Sequence, residues 1–239
     1  MSTSTVRRSP THHAQVLVAA DLTSRMRRIT VRADSLRDTV IRPAQDVELH
    51  LREDSGRRVK RRYTISAARP GGELDLDVLL HGDGPGSRWG ATAQPGDEIE
   101  FQGPRGKLEL RSAPAHLLIG DESAQPAIAA ICAALPAGEL ATAIIEVHDA
   151  ADELPVPTAD VRWVHRGADA AGQSNLLQRA LDDVEVAGDT RAYLMGETRA
   201  MIALRGVLEG RGVDHDAIFV KGYWNIGRAD RLAGRAPRS

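Results

Sequence analysis

Apolar and polar positions follow two different rhythms along this chain. Between residues 13 and 111 they alternate in short runs, at 15–19, 26–32, 46–51, 60–67, 73–80 and 97–102. Alternation with a period of two marks strands that bury one face. Turn-forming clusters separate the runs, among them Asp54-Ser55-Gly56, Arg69-Pro70-Gly71-Gly72, Gln94-Pro95-Gly96-Asp97 and Gly103-Pro104-Arg105-Gly106. Many short strands joined by turns predict a small antiparallel β-barrel. A short helix is expected to begin near Ser87, after a glycine-proline stretch.

From residue 115 the rhythm becomes strand–helix alternation. Runs at 116–119, 142–147, 161–164, 191–195 and 217–220 read as strands, and 125–135, 175–181 and 199–209 read as helices. This grammar predicts a doubly wound parallel sheet covered by helices, so the fold class is α/β plus β-barrel. The expected organisation is a disordered tail at 1–12, the barrel at 13–112, the α/β domain at 113–228 and a flexible tail at 229–239. His12-His13 falls at the frayed start and calls for no metal.

Composition narrows the function classes. With 31 basic and 33 acidic side chains the formal charge is -2, which argues against wholesale nucleic-acid binding. The single cysteine, Cys132, excludes a disulfide framework and a Cys-ligated iron–sulfur cluster, and within an Ala/Ile helix it reads as an inert packed thiol. The opening segment has no apolar stretch of signal-peptide type, and no run reaches the length of a membrane span. A soluble, cytoplasmic, monomeric protein without membrane insertion is the expectation. Charge is unevenly spread: residues 1–62 carry 14 basic and 7 acidic side chains, a balance of +7, which leaves -9 for the remainder. A basic front half suits an anionic ligand, and equally a solvated barrel face.

Three regions concentrate candidate chemistry. Arg61-Arg62-Tyr63-Thr64 lies in a predicted strand, and His81-Gly82-Asp83-Gly84-Pro85-Gly86-Ser87-Arg88-Trp89 is a glycine-rich turn that opens a helix. Such a turn points backbone N–H groups at solvent, which favours a phosphate; an ordinary turn with an N-capping serine is the plain alternative. Together the two segments offer a guanidinium for phosphate, an aromatic ring for an isoalloxazine and a hydroxyl for its polar edge. The second region is Gly120-Asp121-Glu122, with Gly196-Glu197 repeating the strand–Gly–Glu–helix layout, where doubly wound sheets bind dinucleotides. The third, Lys221-Gly222-Tyr223-Trp224-Asn225-Ile226-Gly227-Arg228, gathers two aromatics and two cations after the last strand, either to cover a flat cofactor or to clasp the end of the chain. Arg166, just past a strand, is a candidate for a 2′-phosphate, with a plain surface arginine as the alternative.

Taken in order, Arg61-x-Tyr63-Thr64, His81-Gly82…Gly84-Pro85-Gly86-Ser87-x-Trp89, Gly103-Pro104-Arg105-Gly106, Gly120-Asp121-Glu122, Gly196-Glu197 and Lys221-Gly222-Tyr223-Trp224-x-x-Gly227 resemble the siderophore-interacting protein family. These are FAD-containing ferric-siderophore reductases with a ferredoxin–NADP reductase-like fold. The resemblance implies that Arg61, Tyr63 and Thr64 hold the flavin phosphate, ring face and polar edge. It implies that His81, Gly82, Gly86 and Ser87 line the ribityl and pyrophosphate, with Trp89 packing beneath. Gly120, Asp121, Glu122, Gly196 and Glu197 would frame the entry of NADPH or NADH, and Tyr223 and Trp224 would cover nucleotide or flavin. Lys60, Lys221 and Arg228 would present positive charge to the ferric-siderophore substrate. The implied activity passes electrons from NAD(P)H, or from ferredoxin as donor, through FAD to Fe(III), with no protein metal ligands and no catalytic triad. A flavin reductase serving a protein partner and a non-catalytic siderophore-binding protein are the rival readings. The chain departs from the family pattern at Ser66, where an arginine is usual, at Gln125, where an apolar residue is usual, and in a shorter His-Gly to Gly-Pro loop.

Overall fold

Strand alternation closes the first half of the chain on itself. The computed structural model describes residues 10–173 and 175–227, and it divides into a unit ending at Leu108 and a unit beginning at Glu109. In the first unit, β1 (Thr11–Asp21), β2 (Met26–Arg32), β3 (Asp46–Arg52), β4 (Arg58–Arg69), β5 (Glu73–Leu79) and β6 (Glu98–Arg105) form a closed antiparallel barrel in the order β1-β2-β5-β4-β3-β6. Its core collects the inward positions, including Ile29, Val31, Val47, Leu49, Leu74, Leu76, Val78 and Phe101. Each such side chain, fully buried, contributes about 1.5–3 kcal/mol from removal of apolar surface from water. The helix α1 (Pro85–Thr92) interrupts the strands between β5 and β6, and Trp89 packs on the core.

The outer face of β5 is also buried, because arginines cover its acids. Arg28 on β2 pairs with Asp77 at 2.7 and 2.8 Å, and Thr30 donates to Asp75 at 2.7 Å. On the neighbouring outer face, Glu48 receives Lys60 at 2.8 Å and Arg105 at 2.6 Å. Burial raises the Glu48 carboxyl, but these cations outweigh it and hold the group below its ordinary value.

The expected tail through residue 12 is corrected: Thr11 and His12 belong to β1 and pair with Gln102 and Phe101 of β6. His12 is buried, its Nδ1 lies 2.7 Å from the Ser35 hydroxyl, and its ring packs on Phe101 at 5.4 Å. The short alternating run from residue 15 marked only the part of the strand that buries aliphatic side chains. The expected tail at 229–239 lies outside the described residues.

The second unit is a parallel sheet in the order β11-β10-β7-β8-β9, built from β7 (Ala115–Asp121), β8 (Leu140–Val147), β9 (Asp160–His165), β10 (Arg191–Glu197) and β11 (Ile218–Trp224). Leu117, Leu118 and Ile119 of the central β7 are buried on both faces, as helices on either side require. The helices are α2 (Gln125–Ala134), α3 (Leu176–Asp182) and α4 (Thr198–Gly210). Leu177, Leu181, Met201, Leu204 and Leu208 pack one face of the sheet. Cys132 on α2 is buried, as are Met26, Met195 and Met201, and burial pushes the thiol up to about 11. No helix among the described residues is long and apolar enough to cross a membrane.

Candidate functional site

In the barrel unit, strand alternation sorts the candidates. Tyr63 and Val59 pack on the core side of β4, and Arg61 shares that parity. Lys60 and Arg62 take the opposite face, where Lys60 is engaged by Glu48 at 2.8 Å and Gln102 at 3.1 Å. Lys60 is therefore set apart from Arg61 and Tyr63 and committed to an ion pair. Thr64 is buried and stands opposite Asp46 in the ladder.

The turn after β5 meets Arg61 and Tyr63 at Gly86. A Cβ at Gly86 would lie 2.1 Å from the Tyr63 hydroxyl and 3.6 Å from Cγ of Arg61, so only glycine lets the start of α1 approach this closely. Gly84, rather than Ser87, is the N-cap of α1, and no side chain caps the helix. Ser87 lies inside the first turn, where its hydroxyl accepts from the His81 amide at 3.0 Å and donates to the His81 carbonyl at 2.8 Å. It shapes the loop instead of capping the helix. His81 and Gly82 are exposed on that loop, and Trp89 stands 5.9 Å from the Tyr63 ring. Burial pushes the Tyr63 phenol up, so it is a neutral hydroxyl across the physiological range. The set fits a flavin nucleotide: an uncapped helix N-terminus for phosphate, the Arg61 stem beside it, and an aromatic ring with a polar tip.

In the second unit the candidates gather at the carboxyl ends of the strands, but their side chains turn inward. Asp121 is buried and receives four hydrogen bonds: from the Ser123 amide at 2.9 Å, the Ser123 hydroxyl at 2.5 Å, the Glu197 amide at 2.9 Å and the Trp224 indole at 2.8 Å. Burial raises its carboxyl above the ordinary value against the opposing pull of these donors. Gly196 has φ +147°, and a Cβ there would stand 2.5 Å from Oδ2 of Asp121, so the close approach of β10 to β7 requires glycine. Glu197 is buried and caps α4 by accepting from the Ala200 amide at 2.8 Å, and it also takes the Ile226 amide at 3.3 Å. Gly120 is closed off by the Met195 carbonyl and Ala124.

Glu122 is buried in an ion pair with Arg166, whose guanidinium also faces Glu146 at 3.9 Å. The burial of Arg166 corrects the plain surface-arginine alternative, and the ion pair commits the guanidinium that was the candidate for a 2′-phosphate. The Arg166 amide donates to the Val147 carbonyl at 3.0 Å. Trp224 is half-buried with its indole held by Asp121, so it is an anchored group. Tyr223 reaches Sδ of Met195 at 3.7 Å, and Lys221 stands 5.1 Å over the Tyr223 ring. Arg228 lies outside the described residues.

Two departures from the family pattern find local roles. Gln125 is buried and bridges to the next loop, donating to the Asp152 carbonyl at 3.2 Å and accepting from the Leu154 amide at 3.1 Å. Ser66 donates to the Asp75 carbonyl at 3.1 Å, at an irregularity in the β4–β5 ladder. Ser123 and Glu146 were not singled out by the sequence, and Gln125 was marked only as a departure from the family pattern. The polar Gln125 at an apolar position was the one available signal.

Comparison with known proteins decides the family. Residues 41–108 match the siderophore-interacting FAD-binding domain, and residues 113–227 match the siderophore-interacting protein family. A crystal structure of a siderophore utilization protein from T. fusca is 31% identical, with a TM-score of 0.84, covering 93% of this chain and 96% of that one. The chain belongs to the siderophore-interacting protein family. Two curated relatives are Rv2895c, an uncharacterized protein of Mycobacterium tuberculosis, 36% identical over 187 residues, and the ferric vibriobactin reductase ViuB of Vibrio cholerae, 32% identical over 180. The matches cover 72% and 71% of this chain, and the chain spans 65% and 66% of the length of those relatives. As in other siderophore-interacting proteins, the barrel and parallel sheet form a ferredoxin-reductase-like fold.

Proposed function

We propose that this chain is a flavin-dependent ferric-siderophore reductase, oxidising one NAD(P)H and reducing two Fe(III) to Fe(II) with release of one proton. The observation that carries the reading is the meeting of Arg61, Tyr63 and the uncapped start of α1 at Gly86, within the segment that matches the FAD-binding domain. The ferric vibriobactin reductase among its relatives supports the substrate class.

Arg61 and the first amides of α1 would hold the flavin pyrophosphate, with charge-assisted hydrogen bonds fixing its position. Tyr63 would lie against the ring system and Thr64 would meet its polar edge. FAD, when bound, accepts electrons as a pair and gives them up singly, which a nicotinamide donor and a ferric acceptor together require. Lys221, and Arg228 beyond it, would draw an anionic ferric chelate by long-range attraction. Iron needs no protein ligand, because oxygen chelators favour Fe(III) and hold Fe(II) more weakly.

The test is the visible spectrum of the purified protein followed by a turnover assay. A bound flavin bleached by NADPH or NADH, and recoloured on adding a ferric siderophore with appearance of Fe(II), is the expected result. A preparation that takes up no FAD, or a reduced protein that leaves ferric siderophores untouched, overturns the proposal.

A further inference from the structure

The far end of the barrel carries a cavity that the proposed reduction does not use. Arg61 and Arg69 stand near opposite ends of β4, about 25 Å apart along extended strand. Beside Arg69, the turn between β4 and β5 meets the segment that follows β2. The Ala33 amide donates to the Gly72 carbonyl at 3.0 Å and ties the two together, while the Thr39 amide donates to the Leu36 carbonyl at 3.0 Å and shapes the second. Between them lies a cavity of about 220 Å³.

Its lining is of two kinds. Leu36 and Leu74 are buried members of the barrel core and Ile41 packs against it, so the floor is apolar. Arg37, Arg69 and Thr39 supply the polar side, and no carboxylate among the described residues lines the cavity. The two guanidiniums differ. Arg69 is spent on Asp75, through two bonds of 2.7 Å, and on Glu73 at 3.3 Å. Arg37 is exposed, and its one ionic neighbour among the described residues is Asp34 at 3.7 Å, beyond hydrogen-bond reach. The Thr39 hydroxyl likewise makes no hydrogen bond among the described residues.

An unspent guanidinium beside an apolar floor selects a class of ligand. Arginine takes a carboxylate through two parallel bonds, and a threonine hydroxyl can donate a third. Small-molecule sites are concave and largely apolar, with a few polar groups that fix orientation. A cavity of about 150 Å³ holds a benzene ring, so this larger one has room for a ring bearing a carboxylate. Because Arg69 is answered by Asp75 and Glu73, the site offers a single uncompensated cation. That charge matches a monocarboxylate and leaves a phosphate dianion undercompensated.

We infer that this cavity is a second binding site of the protein, for a small aromatic monocarboxylate seated by Arg37 and Thr39 over Leu36, Ile41 and Leu74. The site is separate from the Arg61–Tyr63–Gly86 junction and stands independently of the reductase reading.

Calorimetric titration of the purified protein with benzoate, benzamide and inorganic phosphate tests it. Benzoate is expected to bind with a dissociation constant of about 0.1–1 mM. Benzamide keeps the ring and removes the charge, and it is expected to bind at least about tenfold more weakly, as is phosphate. Arg37→Ala is expected to weaken benzoate about tenfold, and Arg37→Lys about threefold, since an ammonium keeps the charge without the fork. Thr39→Val is expected to cost about threefold. Both positions are exposed, so these variants keep the native melting temperature. Excess FAD leaves the benzoate affinity unchanged. The inference is overturned by absence of saturable benzoate binding below about 10 mM, or by phosphate binding as tightly as benzoate. Competition between FAD and benzoate, or native benzoate affinity in Arg37→Ala, overturns it equally.

Discussion

Arg69 holds Asp75 across the β4–β5 hairpin through two parallel hydrogen bonds, both 2.7 Å. Asp75 is buried and also receives Thr30, so one carboxylate ties β2, β4 and β5 together. Burial raises its carboxyl, but Arg69, Thr30 and Arg28 outweigh that and hold it below the ordinary value. The stabilisation is therefore complete above the unfolded value of about 3.9 and disappears as pH falls through the lower folded value. Asp75→Asn is expected to cost about 2 kcal/mol at neutral pH, less than a fully buried pair because Arg69 is part-exposed. Thermal melting from acid to neutral pH checks it, and the variant's curve should be flatter than the native one below pH 4, since the lost group no longer titrates.

Gly86→Ala places a methyl group where the Tyr63 hydroxyl stands. Either Tyr63 or the start of α1 must shift, at a cost of about 1–3 kcal/mol. If this junction is the flavin seat, flavin content after purification should fall at least tenfold while the barrel still melts cooperatively. Full flavin occupancy in that variant would place the cofactor elsewhere.

Lys221→Ala is expected to raise the apparent KM for an anionic ferric chelate about three- to tenfold and to flatten its dependence on salt. Oxidation of NAD(P)H by an uncharged dye should be unchanged, because that acceptor feels no steering field. Initial rates with both acceptors at two ionic strengths give the comparison.

Arg166→Ala leaves Glu122 and Glu146 buried together without their cation. Removing one partner of a buried ionic cluster costs about 3–5 kcal/mol. Glu122→Gln should cost less, because the amide oxygen can still accept from the guanidinium. Urea unfolding followed by far-ultraviolet circular dichroism should rank the two variants in that order.

Most of the architecture could be read from the chain because each element buries its aliphatic positions with the right period. The run His116–Ile119 reads as a buried-strand candidate, and alternation along the run at 60–67 puts Arg61 and Tyr63 on one face. The site was less legible. Asp121 and Trp224 are 103 positions apart, and no local pattern announces that the indole of one meets the carboxylate of the other. Nor does spacing reveal that the acids after two strands point inward; the same Gly-Asp-Glu letters suit an open turn or a closed one. Arg166 was misplaced for a similar reason, since its burial depends on where the ends of β7 and β8 bring Glu122 and Glu146. His12 was lost to a tail because the polar start of β1 earns its place only against Phe101 and Ser35.

Cys132 and the methionines at 26, 195 and 201 are all packed away from solvent. Ferrous iron released beside oxygen generates peroxide-derived oxidants, and sulfur side chains are the first to be consumed by them. Under the proposed ferric-reductase function, a protein that exposes no sulfur among its described residues would work next to ferrous iron with few sites at which self-inflicted damage accumulates. The same burial leaves the surface chemically silent towards thiol reagents, so one cysteine introduced on the barrel would report alone.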